Sequence, residues 1–282
     1  MPKLLFSSLL ILLILINLAS ASFISLTTQI QVNSTSLPEE GLVSLTMENK
    51  GDEPAMAVQP EIEFTGRSFL GEATSQLDPG SSRSWNIPVT TTLDTPGRYP
   101  LILKTRYYDL NNYAFSSISP SYVVIKEDTS PLVFGTLKPL EMSDSGKLPL
   151  EIINLDENLQ KKIKLKLHLP KELTSENTTL QLTMKPKSKA NYEFNIERFS
   201  ALPGSNYVIA VILEYDENNK HYTNILRGNI KLVENSTSPI KLPVTIIIAI
   251  LIIIAFISII VFLEIKRKKK LAKEQKNEQP SN

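Results

Sequence analysis

The 282-residue chain contains no cysteine, only two histidines and a single tryptophan, and its formal net charge is +1. Without cysteine, the chain has no disulfide, cysteine nucleophile, thiolate metal site or iron–sulfur cluster. The near-neutral charge gives no reason to expect binding to nucleic acid. The sequence also lacks a phosphate-binding glycine loop, a G-x-S-x-G elbow and an H-E-x-x-H zinc motif. We therefore expect no cofactor and no enzyme activity, although paired carboxylates, which meet only in a fold, keep a glycoside hydrolase as a further hypothesis.

Apolar residues are concentrated at the two ends of the chain. At the N-terminus, Lys3 is the only charged side chain, Leu4 to Ile16 are rich in leucine and isoleucine, and Ala19-Ser20-Ala21 follows. A positive start, a short apolar stretch and small residues at the cleavage positions are typical of a secretory signal peptide. We predict a signal peptide over residues 1–21 and a mature start at Ser22. The alternative is an uncleaved membrane anchor.

The second apolar stretch, residues 244–263, carries no charged side chain. About twenty residues at about 1.5 Å per residue span about 30 Å, which is the thickness of the hydrocarbon core of a membrane. This pattern predicts a transmembrane helix over 244–263, preceded by a short stalk at 235–243.

A basic segment follows this stretch, formed by Lys266, Arg267, Lys268, Lys269 and Lys270. Lysine and arginine are enriched on the cytoplasmic side of membrane proteins. We predict that these residues are a stop-transfer signal in a cytoplasmic tail over 264–282, and attraction to anionic lipid is the alternative. The expected localisation is the cell membrane, in a single-pass type I orientation with the N-terminal part outside.

The body between the apolar ends has the pattern of β-strands. Met56, Val58, Ile62 and Phe64 are separated mainly by polar residues, and the residues from Ile163 to Leu169 alternate between apolar and basic in the same way. Period-two alternation is typical of a strand with one face in a core and the other in water. Clusters of Asn, Asp, Gly and Pro separate these segments as turns. The sequence therefore predicts an all-β body.

The body is also duplicated, because residue types repeat at an offset of 107 positions (for example, 186 − 79). The matching pairs include Pro79 and Pro186, Ser81 and Ser188, Gly97 and Gly204, and Tyr108 and Tyr215. These matches fall mainly at turns, where backbone geometry restricts the residue type. We predict two tandem immunoglobulin-like β-sandwiches, over 22–127 and 128–234, followed by the C-terminal transmembrane helix. Their junction is too short to be a flexible tether.

Three aromatic residues are expected to be structural. Tyr99 and Tyr207 each follow a Pro-Gly pair, and these segments resemble the tyrosine corner of fibronectin type III-like sandwiches, in which the hydroxyl bonds back to the backbone. Trp85 shares a strand face with Ile87 and Val89. We expect it to lie in the core, and the alternative is a ligand platform.

One stretch of the first module resembles a known group of surface modules. Val43 to Phe64, with Asn49-Lys50-Gly51-Asp52 at its turn, and the later Leu77-Asp78-Pro79-Gly80-Ser81 resemble CARDB and NEW3-type modules of archaeal and bacterial surface proteins. The second module departs from that pattern, because its turns at 154–156 and 185–187 lack the glycines. A signal peptide, tandem modules and a membrane helix are together similar to archaeal S-layer-related proteins. The resemblance implies adhesion, envelope architecture or attachment to a larger complex, and it supplies no catalytic residues.

Two turns offer oxygen ligands that could hold Ca²⁺, namely Asp109 with Asn111 and Asp216 with Asn218. Asp and Asn are also the residues that tight hairpins prefer, so a purely structural role is the alternative. No other metal site is expected.

The two histidines and three sequons complete the candidate residues. His168 and His221 have no second ligand at metal-binding spacing, and we predict both on the surface. Three Asn-x-Ser/Thr sequons are candidate N-glycosylation sites, with chance occurrence as the alternative: Asn33, Asn177 and Asn235.

These observations favour a non-enzymatic surface protein for interaction, adhesion or envelope scaffolding. The expected partners are the membrane, through the single span, and an envelope protein, a membrane protein or a surface glycan. The alternative is an accessory ectodomain subunit of a membrane secretion, transport or glycosylation complex.

Overall fold

The computed structural model describes residues 23–33, 41–234 and 244–277 of the chain. The chain divides into two compact units, Met1–Glu234 and Asn235–Asn282, and each is described by itself. The predicted signal peptide and the predicted stalk lie outside the described residues.

The first part of the first unit, module 1, is built from strands that form two sheets. The strands are β1 (Leu26–Asn33), β2 (Gly41–Asn49), β3 (Ala55–Phe64), β4 (Arg67–Leu70), β5 (Thr74–Leu77), β6 (Ser82–Val89), β7 (Gly97–Tyr108) and β8 (Ala114–Ile125). β1, β2 and β6 form one antiparallel sheet in the order β1-β2-β6. In the other sheet, β3 pairs with β4, β5 and β7, and β7 pairs with β8.

The second part, module 2, repeats this plan. Its strands are β9 (Val133–Leu137), β10 (Leu140–Met142), β11 (Ser145–Asn154), β12 (Lys161–His168), β13 (Leu173–Thr174), β14 (Thr179–Met184), β15 (Lys189–Arg198), β16 (Asn206–Glu217) and β17 (Lys220–Leu232). One sheet has the order β13-β15-β11-β9, and the other contains β14-β12-β16-β17 with β10 parallel to β17.

Each module has its own apolar core between its two sheets. Val43, Trp85 and Phe64 belong to one buried cluster, which draws on both sheets of module 1. Leu150 and Ile209 belong to another, which draws on both sheets of module 2. The alternation read in the sequence produces these cores, because side chains of successive residues in a strand point to opposite faces. Trp85 is 5% exposed, which confirms its predicted core position.

The duplication is visible in the geometry of one turn in each module. Asn49 and Asn154, each fully buried, end β2 and β11. The Asn49 N–H donates to the Ser81 carbonyl at 3.1 Å, and the Asn154 N–H donates to the Ser188 carbonyl at 3.0 Å. Their side-chain amides donate to backbone carbonyls of the following turn and of a facing strand in both modules. The repeated sequence therefore encodes a repeated way of closing the sandwich.

The two modules also pack against each other within the first unit. Ile102 and Ile118 of module 1 form a separate buried cluster with Ala210 and Ile212 of module 2. These residues lie on β7, β8 and β16, on the sheet faces that point away from each module's own core. Module 1 thus covers part of the outer face of module 2.

The second unit contains one described helix, α1 (Val244–Asn277). The prediction of a transmembrane helix over 244–263 is corrected here, and with it that part of the predicted fold class. Among the described residues, no helix combines the length and the apolar character that a membrane crossing requires. Residues 252–270 of α1 include six charged side chains: Glu264, Lys266, Arg267, Lys268, Lys269 and Lys270. Charged side chains are costly in a hydrocarbon core, so this stretch as a whole lacks the apolar character of a membrane span.

The predicted stop-transfer residues lie on α1. Lys266, Arg267, Lys268, Lys269 and Lys270 are all exposed on the helix. Their predicted function stays a prediction.

Candidate interaction site beside the module junction

The middle of the junction combines apolar packing with a charged cluster. Beside the apolar cluster, Glu63 of module 1 accepts from Lys104 Nζ at 2.7 Å and from Lys166 Nζ of module 2 at 2.8 Å. Burial alone would raise the pKa of Glu63, but the two ammonium groups outweigh burial and lower that pKa to about 2. The carboxylate is therefore ionised at neutral pH and links the two modules.

One end of the junction is held by a buried carboxylate. Glu172 of module 2 is 2% exposed. Its side chain accepts from the Ser116 backbone N–H and, at 2.7 Å, from the Ser116 hydroxyl. Burial raises the pKa of Glu172 despite these hydrogen bonds. Nearby, the Tyr113 hydroxyl donates to the Ser200 carbonyl, so a second module 1 side chain bonds to module 2.

The other end of the junction is organised around His221. Its imidazole stacks on the ring of Tyr99 in module 1, with ring centroids 4.2 Å apart and an interplanar angle of 7°. The His221 N–H donates to the Pro96 carbonyl at 2.9 Å, and the Thr129 hydroxyl donates to the His221 carbonyl at 2.7 Å. Gly97 is required beside it, because a Cβ there would lie 2.1 Å from the His221 carbonyl oxygen.

Two carboxylates surround the His221 ring. The Nδ1 atom donates to Asp216 Oδ1 at 2.7 Å, and Nε2 lies 3.3 Å from Glu214 Oε1, outside hydrogen-bond geometry. Burial alone would lower the pKa of His221, but Glu214 and Asp216 outweigh burial and raise it. The protonated ring is thus stabilised at the junction.

The prediction of two surface histidines is wrong. His168 does lie on the lysine-bearing face of β12, as the alternation indicates, but it is only 8% exposed. The His221 side chain is 12% exposed. Burial and then Lys166 lower the pKa of His168 to about 4. The physical reason for both corrections is the junction, because module 1 covers a face that would be in water if module 2 were alone.

A cleft of about 500 Å³ lies on the part of this outer face that stays uncovered. Lys162 and Lys164 of β12, Gln181 and Thr183 of β14, and Glu214, Asp216 and His221 line it. The cleft joins a basic and uncharged side, on β12 and β14, to an acidic side beside His221. Polar linings of this kind orient a ligand through hydrogen bonds and charge. We identify the cleft and its edge strand β14 as the candidate interaction site.

The four Ca²⁺ candidates fall at opposite ends of the junction. Asp109 Oδ1 accepts from the Asn111 and Tyr113 N–H groups at 2.9 and 2.7 Å, which closes the β7–β8 turn. Asp216 lies in the cleft beside His221, and Asn218 adopts a left-handed φ of 48° in the β16–β17 turn. Among the described residues, no group of three or more His, Asp or Glu side chains is arranged to hold a metal ion. The structure does not bring the two candidate pairs together.

The two candidate corner tyrosines make related hydrogen bonds. The Tyr99 hydroxyl donates to the Thr95 carbonyl at 2.9 Å, four residues upstream. The Tyr207 hydroxyl accepts from the Leu202 N–H at 3.3 Å, five residues upstream. Each hydroxyl therefore ties the start of its strand to the preceding loop, and Tyr99 additionally supports His221.

The three sequons are described to different extents. Asn177 is exposed and lies two residues before the start of β14. Asn33 ends β1, and its side chain lies outside the description, as does the whole of Asn235.

Sequence reasoning missed most of the cleft and the junction. The alternation around Ile163 to Leu169 places Lys162 and Lys164 only on the solvent side of a strand, and Glu172 and Ser116 belong to no sequence motif. One signal was present, because Ile102 and Ile118 occupy outward positions where an isolated sheet would carry polar residues. Apolar residues on both faces of β7 indicate that something covers its outer face.

Comparisons with known proteins give weak similarities. No protein-family model matches the sequence, and no curated protein matches it. Among solved structures, native Escherichia coli alpha-2-macroglobulin matches with a TM-score of 0.29 and 12% identity, over 73% of this chain and 17% of that chain. Salmonella alpha-2-macroglobulin has a TM-score of 0.29 and 9% identity, over 73% and 16%. The YadV chaperone has a TM-score of 0.29 and 13% identity, over 72% and 99%.

The chain thus spans 17% of the length of the first macroglobulin it matches. These similarities assign no family, and the resemblance to CARDB and NEW3-type modules stays a prediction.

Proposed function

We propose that this protein is a non-enzymatic interaction protein of the cell surface or envelope, in which two sandwiches act as one rigid body that presents a binding surface. The observation that carries the proposal is the buried junction between the modules. Apolar side chains, an ionised Glu63 and a buried Glu172 all cross it. Relative motion of the modules would expose these groups, so their mutual orientation is fixed.

A fixed pair of modules suits recognition of another macromolecule. Interactions that need little reorganisation retain more of their binding free energy, because less conformational entropy is lost on association. The cleft beside the junction has the mixed polar lining that gives orientation and specificity. An envelope protein, a membrane protein or a surface glycan fits this description as the partner.

Export of the body to the outside of the cell is part of the proposal. The pattern of residues 1–21 is that of a signal peptide, and the sequon at Asn177 is exposed where a glycan would be in water. The absence of cysteine in the chain makes the test simple, since any introduced cysteine is unique.

The test is site-specific crosslinking in the cells that make the protein. Single cysteines at Gln181, in the cleft, and at Gln31, on β1 of module 1, would each carry a photocrosslinker. We expect a recurrent envelope partner from Gln181 and none from the matched exposed site Gln31. A partner set that forms one multisubunit complex would favour an accessory subunit. No recurrent adduct from either site, or turnover in a broad hydrolase screen of the same chain, would contradict the proposal.

A further inference from the structure

β14 is the outermost strand of the sheet that carries the cleft. It has six residues without charge, glycine or proline, and Thr179, Gln181 and Thr183 are exposed on it. An outermost strand presents a row of N–H and C=O groups that no neighbouring strand satisfies. Such a row is a template for one more strand.

The register shows which backbone groups of β14 point outward. The Leu167 N–H donates to the Thr178 carbonyl at 2.7 Å, so Thr178 faces β12. In an antiparallel pair, every second residue of a strand exchanges backbone hydrogen bonds with the same neighbouring strand. Leu180 and Leu182 therefore also face β12. The N–H groups of Thr179, Gln181 and Thr183 point away from it, toward the free edge.

Other outer strands of the described sheets have features that discourage pairing. β4 and β5 have four residues each, and β4 begins with Arg67. β6 contains Arg83 and Pro88, and β15 carries Lys189 and Glu193. β1 lies against β8, and β9 lies against β17. Shortness, charge, proline and covering are the usual protections of a sheet edge, and β14 has none of these four.

The charges beside β14 select the kind of strand that would bind. Lys162 is paired with Thr183 and Lys164 with Gln181, so both lysines lie one row behind the edge on the outer face. Both are exposed, and neither forms an ion pair with a described side chain. Glu214 of β16 lies directly opposite Lys164 in the register, on the side of β12 away from the edge, and both Glu214 and Asp216 lie beside His221.

We propose that β14 binds an extended acidic segment of a partner protein by strand addition. The segment would pair with the outward N–H and C=O groups of β14 and direct alternate carboxylates toward Lys162 and Lys164. Backbone pairing supplies affinity, and the lysines supply selectivity for acidic over basic segments. This inference rests on the proposed function, because it names the partner chemistry of the same site.

The test uses the purified full chain and two labelled peptides of eight residues. One alternates valine with glutamate, and the other alternates valine with lysine. By fluorescence polarisation, we expect the acidic peptide to bind at least about tenfold more tightly, a free-energy difference of about 1.4 kcal/mol. In hydrogen exchange, the amides of Gln181 and Thr183 should gain protection only with the acidic peptide.

Two matched variants separate backbone pairing from the side chain. Gln181→Pro removes one outward N–H without removing a bond to β12, and proline is tolerated at sheet edges. Gln181→Ala keeps that N–H. We expect Gln181→Pro to weaken binding at least about tenfold and Gln181→Ala by less than about twofold. The double variant Lys162→Glu/Lys164→Glu should reverse the preference, so that the basic peptide binds more tightly than the acidic one. If Gln181→Pro does not fold, this double variant still tests the proposal.

Several results would overturn strand addition. The first is equal binding of the acidic and basic peptides. The second is no binding of either peptide at about 1 mM, a concentration that corresponds to a binding free energy near −4 kcal/mol. The third is unchanged binding of the acidic peptide by the Gln181→Pro variant. A dimer that Gln181→Pro dissociates would instead identify a second copy of the chain as the occupant. If peptide binding fails while the crosslinker at Gln181 still captures a partner, the proposed function stands and only the strand-addition inference is wrong.

Discussion

The two modules share one turn but differ at the buried position beside it. In module 1, Ala55 pairs with Leu77 and is fully buried. In module 2, the corresponding residue is Lys161, which pairs with Met184 and whose side chain is 1% exposed. The correspondence follows from Asn49 and Asn154, whose side-chain amides bond to the Leu77 and Met184 carbonyls at 3.1 and 3.4 Å.

The difference shows which parts of a duplicated fold are free to change. The turn asparagine satisfies backbone groups of the turn and of a facing strand, so the geometry of the turn depends on it. The neighbouring position needs only to be filled without leaving a charge unpaired. Lys161 meets this condition because its Nζ contacts Asp156 at 2.6 Å and also Glu217, above the ring of Tyr215. The lysine amine also holds the pKa of Asp156 at about 2.

The largest effect is expected when module 2 is given the residue of module 1. Lys161→Ala leaves the carboxylates of Asp156 and Glu217 without their buried cation. Removing one partner of a buried ion pair costs about 3–5 kcal/mol of folding free energy. Chemical denaturation of the full chain measures the change in the free energy of unfolding. The triple variant that also carries Asp156→Asn and Glu217→Gln should recover part of the loss. A loss below about 1 kcal/mol for Lys161→Ala would show that the ion pair contributes little.

The two histidines should give opposite dependences of stability on pH. The pKa of His168 is lowered to about 4, so the unfolded chain binds a proton first as the pH falls below about 6.5. Its contribution to stability is present above pH 6.5 and is lost toward pH 4, on the order of 3 kcal/mol. The pKa of His221 is raised, so its contribution is complete below about pH 6.5 and is lost as the pH rises through the raised pKa.

The measurement is the unfolding free energy of the wild type, His168→Gln and His221→Gln from pH 4 to 8. Relative to the wild type, His168→Gln should gain stability as the pH falls, whereas His221→Gln should lose it. Slopes of the same sign for the two variants would contradict this assignment of the two environments.

The shared turn asparagines should be equally important in the two modules. Asn49→Ala and Asn154→Ala each leave buried carbonyl and N–H groups without partners, which costs about 2 kcal/mol. Thermal unfolding of the two single variants and of Gln31→Ala, an exposed polar control on β1, tests this equality. A large loss of stability in only one of the two variants would show that the same turn geometry does not contribute equally to the stability of the two modules.

The smallest effect is expected at the corner tyrosines. Tyr99→Phe and Tyr207→Phe each remove one hydrogen bond, to Thr95 and from Leu202, and each should cost about 1 kcal/mol. The two variants are compared by their denaturation midpoints. Tyr99→Phe should leave the stack on His221 intact, so an altered pH dependence in Tyr99→Phe would show that the hydroxyl also affects His221.

The strands and the duplication could be predicted because they depend on local rules. Alternation puts Ile163 and Leu165 on the core side of β12, and the same alternation puts Lys161 on that side and Lys162 outside. Turn residues mark the ends of strands in both modules. The histidines could not be placed in this way, because alternation names the face of a strand and does not say what covers that face.

The candidate site shows the same limit. Gln181 and Thr183 are readable as exposed positions of a short strand, but the sequence does not say that their strand is the outermost one. The pairing of β14 with β12 alone, and the position of Lys162 and Lys164 behind it, follow from strand order. Strand order is a long-range property, so no local pattern encodes it.

The sequence by itself determined the strand content, the repeat of residue types at turns and the core position of Trp85, because each depends on periodicity or on the conformational preference of a few adjacent residues. Only the tertiary structure decided that module 1 covers an outer face of module 2, that His168 and His221 are largely covered there, and that β14 is the outermost strand of its described sheet, beside Lys162 and Lys164. These features arise between residues far apart in the chain, where packing and desolvation set the environment of each side chain.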